Sequence, residues 1–98
     1  MEPENDAPPE PVEVPIDGTL DLHGFRPEEL SSLLEEWTEA CRARGILAVR
    51  IVHGKGTGAL RRGVEAWLRR SPAVASFGPG GEGAGGWGAT LATLRPAR

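Results

Sequence analysis

Hydrophobic positions in the first half of this 98-residue chain alternate in one segment and recur at helical spacing in the next. Residues 20–23 alternate apolar and polar side chains and predict a strand. Residues 48–52 are rich in β-branched side chains and predict a second strand. Between them, Pro27 and the two glutamates after it favour a helix start. One apolar stripe with helical period follows: Leu30, Leu33, Leu34, Trp37 and Cys41.

The second half predicts another helix and two more strands. Its helical stripe consists of Leu60, Val64, Trp67 and Leu68. That helix must end before Pro72, because a proline disfavours helical backbone in the residue before it. Residues 74–77 and 89–94 are predicted strands, and residues 78–88 form a glycine-rich loop between them.

The resulting order is strand, helix, strand, helix, strand, strand. Each strand-helix-strand unit favours a right-handed crossover that makes its strands parallel. The last strand follows a loop, so we expect it to run antiparallel to its neighbour. Two helices can cover only one face of a four-stranded sheet. We therefore predict the α/β class: a two-layer βαβαββ sandwich with a mixed sheet and two helices on one face.

Residues 1–15 differ from the rest of the chain in composition and charge. They hold five of the 14 acidic residues and none of the eleven Lys and Arg, so residues 16–98 carry nine acids against eleven bases. The overall net charge of -3 therefore hides a mildly basic remainder of +2. With many prolines and few apolar residues, residues 1–15 are predicted to be a disordered acidic tail and extended arm, and residues 16–98 the folded domain.

The cysteine count and the apolar segments bear on the compartment. A single cysteine, Cys41, cannot form an intramolecular disulfide, which favours a reducing environment. The acidic start has no basic n-region or apolar h-region, so we expect no secretory signal. No apolar run approaches the roughly 20 residues of a membrane span. We expect a soluble, cytoplasmic protein without a membrane partner.

The two histidines of the chain have the same local setting, each following a predicted strand and preceding a glycine. Ligands of parallel α/β sheets bind beyond the carboxyl ends of the strands, where His23 and His53 would lie. Asp21 and His23 would leave the same face of the first strand, and a carboxylate can orient an imidazole for proton transfer. Two alternatives stay open: a metal site with a thin ligand set, and an Asp21 that holds a backbone amide.

Residues 53–58, His-Gly-Lys-Gly-Thr-Gly, form the strongest local feature, between a strand and a helix start. Glycines let the backbone amides approach an anion, which the helix dipole also favours. Lys55 adds a positive charge, and Arg61 and Arg62 follow in the first helical turn. The predicted phosphate-binding residues are therefore Gly54, Lys55, Gly56, Thr57, Gly58, Arg61 and Arg62. The alternative is a glycine turn chosen for its geometry alone.

Two named motifs do not fit this loop. A P-loop requires glycine where Val49 stands, and Ser or Thr where Gly56 stands. The dinucleotide fingerprint requires an acidic residue about 20 residues further on and a second half of the fold, and both are missing. Trp87, between two glycines, is either a surface on which a base stacks or a cover for the sheet edge.

Three segments together resemble the small MutS-related (Smr) domain family. They are residues 20–24 (Leu-Asp-Leu-His-Gly), residues 53–61 (His-Gly-Lys-Gly-Thr-Gly-Ala-Leu-Arg) and residues 86–90 (Gly-Trp-Gly-Ala-Thr), in the family order. The resemblance spans roughly residues 16–94 and looks like that of a stand-alone member. It implies a domain that binds DNA or RNA, and many members are endonucleases that nick DNA or cleave messenger RNA on stalled ribosomes.

By this resemblance Asp21, His23 and His53 belong to the catalytic region. Some members carry arginine at the position of His23, so the histidine favours activity. We expect a nuclease that uses His23 with Asp21 and His53, without a metal on RNA and with magnesium on DNA. Two other hypotheses stay open: a non-catalytic DNA- or RNA-binding module, and a domain that contacts an acidic protein or the ribosome. The sequence leaves substrate preference and oligomeric state undetermined.

Overall fold

The computed structural model describes residues 16–54, 58–81 and 86–97. Its elements in chain order are β1 (Thr19–Asp21), a 3₁₀ turn (Pro27–Glu29), α1 (Leu30–Ala43), β2 (Ala48–Val52), α2 (Ala59–Arg70), β3 (Val74–Gly81) and β4 (Gly86–Leu94). Residues 1–15, for which a tail and arm are predicted, lie outside the described residues. The order βαβαββ is the one that the hydrophobic pattern predicts.

The four strands form one mixed sheet in the order β1-β2-β4-β3. Strands β1 and β2 are parallel, with Leu20 opposite Ile51. Strand β4 runs antiparallel to both β2 and β3. The last strand thus enters between β2 and β3, and the two strands joined through α2 are not neighbours. This arrangement confirms the predicted mixed sheet.

Both helices cover the same face of the sheet, as predicted. Along β2, Val49 and Ile51 are buried against the helices, whereas Ala48 faces the open side. The core is completed from α1 by Leu34, Trp37 and Cys41. A fully buried leucine contributes about 1.5–3 kcal/mol, so this layer contact is a large part of the stability. In the described residues neither helix is long and apolar enough to span a membrane.

Cys41 is part of this core. Its side chain is fully buried in the structure. Burial away from water raises the pKa of the thiol, and this effect outweighs the opposing hydrogen bond from Gly18. The thiol is therefore neutral at physiological pH and packs as a small apolar side chain.

Four strand boundaries differ from the predicted ones, of which the start of β1 differs by a single residue. Strand β1 ends at Asp21 rather than at His23, because the chain turns after Leu22. Strands β3 and β4 extend into the predicted loop of residues 78–88, with Gly78 opposite Leu91 and Gly81 opposite Gly86. Backbone pairing requires no side chains, and Pro79 is tolerated because β3 is an edge strand. Hydrophobic periodicity could not reveal paired glycines.

Candidate functional site

The carboxyl ends of β1 and β2 meet at one edge of the sheet. There the amide of Leu22 donates to the carbonyl of Val52 at 2.8 Å, which ties the two strand ends together. A cleft of about 260 Å³ opens between the segments that follow these strands. Its lining residues are Phe25, Pro27, His53, Gly54, Gly58, Ala59, Leu60 and Arg61. Both histidines follow strands that end at this edge, as predicted, but of the two only His53 is among the residues that line the cleft.

His23 lies on an exposed turn rather than in the strand. The amide of Phe25 donates to the carbonyl of Leu22 at 2.9 Å and closes the turn. Gly24 has a φ of +90°, which favours glycine at that position. The Asp21 carboxylate accepts the backbone N–H of His23 at 2.9 Å. This hydrogen bond is the one expected from the alternative in which Asp21 holds a backbone amide. The carboxylate stabilises the turn, and the turn carries the exposed imidazole.

His53 is in the opposite situation. It continues the alternation of Val49 and Ile51, so its ring points to the helix-covered face, and only 7 % of the residue is exposed. Nδ1 lies 3.0 Å from the carbonyl oxygen of Gly54, and Nε2 lies 2.8 Å from Oγ1 of Thr90. A carbonyl only accepts, so Nδ1 carries a proton, and in the neutral ring Nε2 then accepts the hydrogen bond of the Thr90 hydroxyl. Both ring nitrogens therefore have partners inside the protein.

Strand β4 holds the start of the glycine loop. The carbonyl of Gly88 accepts the amides of His53 at 2.8 Å and of Gly54 at 2.9 Å. Together with the side-chain bond of Thr90, these contacts connect two of the three motif segments. Sequence reasoning assigned no role to Thr90, although its place two residues after Gly88 in the third segment was a usable signal. It also missed Phe25, the aromatic residue that directly follows the turn.

The first turn of α2 is electropositive. Its N-cap is Gly58, with a φ of +88° and no side chain to accept the first amides, and its first turn has no acidic residue. Arg61 lines the cleft and donates to Glu65 at 3.2 Å. The guanidinium of Arg62 folds back to the helix start, since a Cβ on Gly58 would lie 3.0 Å from its Nη1. Arginines here oppose the helix dipole, and an anion would relieve that repulsion.

Several predicted site residues cannot be placed. Lys55, Gly56 and Thr57 lie outside the described residues. The backbone of Trp87 belongs to β4, and its side chain is not among the described parts of the structure. In the described ranges no three His, Cys, Asp or Glu side chains converge as a metal-ligand group. A metal held by three or more protein ligands therefore does not fit this part of the site.

A comparison with protein families identifies the same domain that the three motif segments indicate. The model of the Smr domain matches residues 20–95. The chain therefore belongs to the Smr domain family.

The relatives that are similar to this chain include much longer proteins. Proteins called endonuclease MutS2 are 46% identical over 76 residues in Halalkalibacterium halodurans and 42% identical over 77 residues in Thermus thermophilus. These alignments cover 78% and 79% of the chain but 10% of each relative, so the chain spans about a tenth of their length.

Two solved structures share the fold. The Smr domain of Thermus thermophilus MutS2 has a TM-score of 0.77 at 40% identity, over 82% of this chain and all of that one. YdaL, a stand-alone small MutS-related protein from Escherichia coli, has a TM-score of 0.75 at 27% identity, over 86% of this chain and 69% of that one. The two-layer architecture is therefore the family's own.

Proposed function

We propose that this chain binds the backbone of DNA or RNA at the carboxyl edge of β1 and β2, and that it cleaves a phosphodiester bond there. The observation that carries the proposal is the cleft between the two strand-to-helix segments, with Arg61 and an N-cap without a side chain on one wall. Similarity to proteins called endonucleases supports it.

Phosphate binding is assigned to the start of α2 and to the loop before it. The positive end of the helix dipole and the side chains of Arg61 and Arg62 supply positive charge for an anion, and the two guanidinium groups supply donors. Lys55 adds a further charge from the loop. These groups contact a phosphate rather than a base edge, so binding is expected on both DNA and RNA.

Proton transfer is assigned to His23. It is the exposed histidine, and the Asp21 carboxylate fixes the turn that carries it. On RNA, His23 would accept the proton of a 2′-hydroxyl as that oxygen attacks phosphorus and the bond to the 5′-oxygen breaks. The products would be a cyclic phosphate and a 5′-hydroxyl protonated from solvent. His53, by contrast, would position the glycine loop through Gly54 and Thr90.

A binding module without catalysis is the second candidate. The observation that favours it is that Asp21 and His53 both make structural hydrogen bonds, which leaves His23 without the paired acid or base of the predicted catalytic group among the described residues. In that case His23 contacts the nucleic acid and no product forms.

The test incubates the purified chain with single-stranded RNA, supercoiled plasmid and branched DNA, with magnesium and with chelator. Lys55→Ala is compared with Arg44→Ala, an exposed arginine after the carboxyl end of α1. We expect salt-sensitive binding that Lys55→Ala weakens and Arg44→Ala does not. We also expect cleavage of at least one substrate. Cyclic phosphate ends formed in chelator would establish the metal-free route for RNA.

Two outcomes would contradict the proposal. Binding that depends on Lys55 without any product would leave the non-catalytic module. Nucleic-acid binding that is absent, or unchanged in Lys55→Ala, would instead favour contact with an acidic protein or the ribosome.

A further inference from the structure

The outer face of α2 carries positive charge beyond the cleft. The helix has four arginines and one glutamate. Val64 and Leu68 are buried against the sheet, whereas Arg62 and Arg69 are exposed. These two lie seven residues apart, which is two helical turns, so they form one line along the surface. We call this pair the arginine ridge.

The arginine ridge begins at the cleft. Arg62 lies against Gly58, which lines the cleft wall. Arg69 lies about 10 Å further along the helix axis, at 1.5 Å per residue. In single-strand terms this distance covers about three nucleotides, at 3.4 Å each. A strand that leaves the cleft past Arg62 and follows α2 would therefore reach Arg69 about three nucleotides further on.

Arg69 is held in place. Its guanidinium lies over the ring of Phe77 on β3, 5.7 Å from the centroid. Neither Arg62 nor Arg69 forms a salt bridge with a described residue, in contrast to Arg61, which pairs with Glu65. Stacking on an aromatic face limits the motion of a guanidinium and leaves its N–H groups free to donate in the plane. Arg69 is thus a cation that is held against an aromatic ring, and no described residue pairs with its guanidinium group in a salt bridge.

From this arrangement we propose that the arginine ridge is a second backbone-binding site, which extends the nucleic-acid path from the cleft along α2 to Phe77. The inference rests on the proposed function, since it concerns the same nucleic acid. It adds a length requirement: a short oligonucleotide fills the cleft alone, whereas a longer one also contacts Arg69.

The test measures the affinity of the full chain for two oligonucleotide lengths, about 2 and about 20 nucleotides. The shorter cannot span the roughly three nucleotides from the cleft to Arg69, and the longer exceeds a typical single-strand site. The probes are 2′-O-methyl RNA, which lacks the attacking hydroxyl, and DNA. The variants are Arg69→Gln, Phe77→Leu and the matched control Arg44→Gln. Thermal unfolding of each variant confirms that it is folded.

We expect Arg69→Gln to weaken binding of the longer oligonucleotide about threefold to tenfold and to reduce its salt slope by about 0.7, the value of one single-strand phosphate contact. The shorter one should bind as in the wild type. Phe77→Leu should cause a smaller loss on the longer probe, because Arg69 is released but remains charged. Arg44→Gln should change neither.

The inference is overturned if Arg69→Gln behaves like Arg44→Gln on the longer probe while Lys55→Ala still weakens binding. It is also overturned if Arg69→Gln weakens both lengths equally, because then Arg69 acts through the cleft. Absence of any binding by the wild type would be the separate failure of the proposed function.

Discussion

The two strand-to-helix junctions look alike in sequence and differ in structure. Each has a histidine followed by a glycine at a strand end. At the first junction His23 lies exposed on a turn whose backbone is held by Asp21. At the second, His53 is buried, and its ring bonds Gly54 and Thr90. In the proposed function this difference gives the two histidines separate roles: His23 would contact the substrate, and His53 would support the glycine loop.

The largest expected effect separates the junctions by activity. His23→Ala should lower the cleavage rate about 10²–10⁴-fold, the usual contribution of a proton-transfer group. Because the side chain is exposed, the free energy of unfolding should change by no more than about 0.5 kcal/mol. Initial rates and urea unfolding of the same preparation check both expectations. Retained cleavage would remove His23 from the chemistry.

The same substitution at the second junction should act on stability instead. His53→Ala should lower the free energy of unfolding by about 2–4 kcal/mol, because it leaves a cavity and an unpaired Thr90 hydroxyl in the core. Urea unfolding measures this, with His23→Ala as the matched control. If both variants were equally stable, the buried position of His53 would be incorrect.

A third prediction tests the bond between His53 and Thr90 directly. Thr90→Val should cost about 1–3 kcal/mol, because it leaves Nε2 of a buried ring without a donor. In the His53→Ala background the same change should cost less, since the two residues are coupled. A double-mutant cycle by urea unfolding gives the coupling energy. Additive effects would show that the bond does not form.

The smallest expected effect concerns Asp21. Asp21→Ala should cost about 0.5–1.5 kcal/mol through the lost hydrogen bond to the His23 amide. Asp21→Asn keeps an oxygen acceptor and should retain both the stability and most of the cleavage rate. Loss of cleavage in Asp21→Asn, with stability intact, would mean that the negative charge orients the imidazole instead.

The hydrophobic pattern predicts the layers of this fold because an element that buries one face has apolar residues at the regular spacing of that face. The stripes of α1 and α2 and the alternation of β2 correctly predict which side chains pack together. The extension of β3 and β4 through glycines leaves no such period, because backbone pairing requires no side chain.

The site was only partly predictable for a related reason. The strand order alone places both histidines at one edge. The burial of His53 was readable, because it continues the alternation of Val49 and Ile51. The turn that removes His23 from β1 depends on the hydrogen bond of Asp21 and on the positive φ of Gly24, which alternation does not encode. The contact joins residues 37 positions apart, so the sequence shows Thr90 as part of the third motif segment but does not show that His53 is its partner.

The central claim is that nucleic acid binds at the carboxyl edge against His23 while His53 supports the loop from within. The most direct test is NMR of the imidazole rings in ¹⁵N-labelled protein. The chain has two histidines, so two sets of ring signals have to be assigned. It is titrated with DNA and with 2′-O-methyl RNA. We expect the His23 ring signals to shift on binding and His53 to stay protonated on Nδ1. Binding that shifts the His53 ring and leaves His23 unchanged would contradict the account.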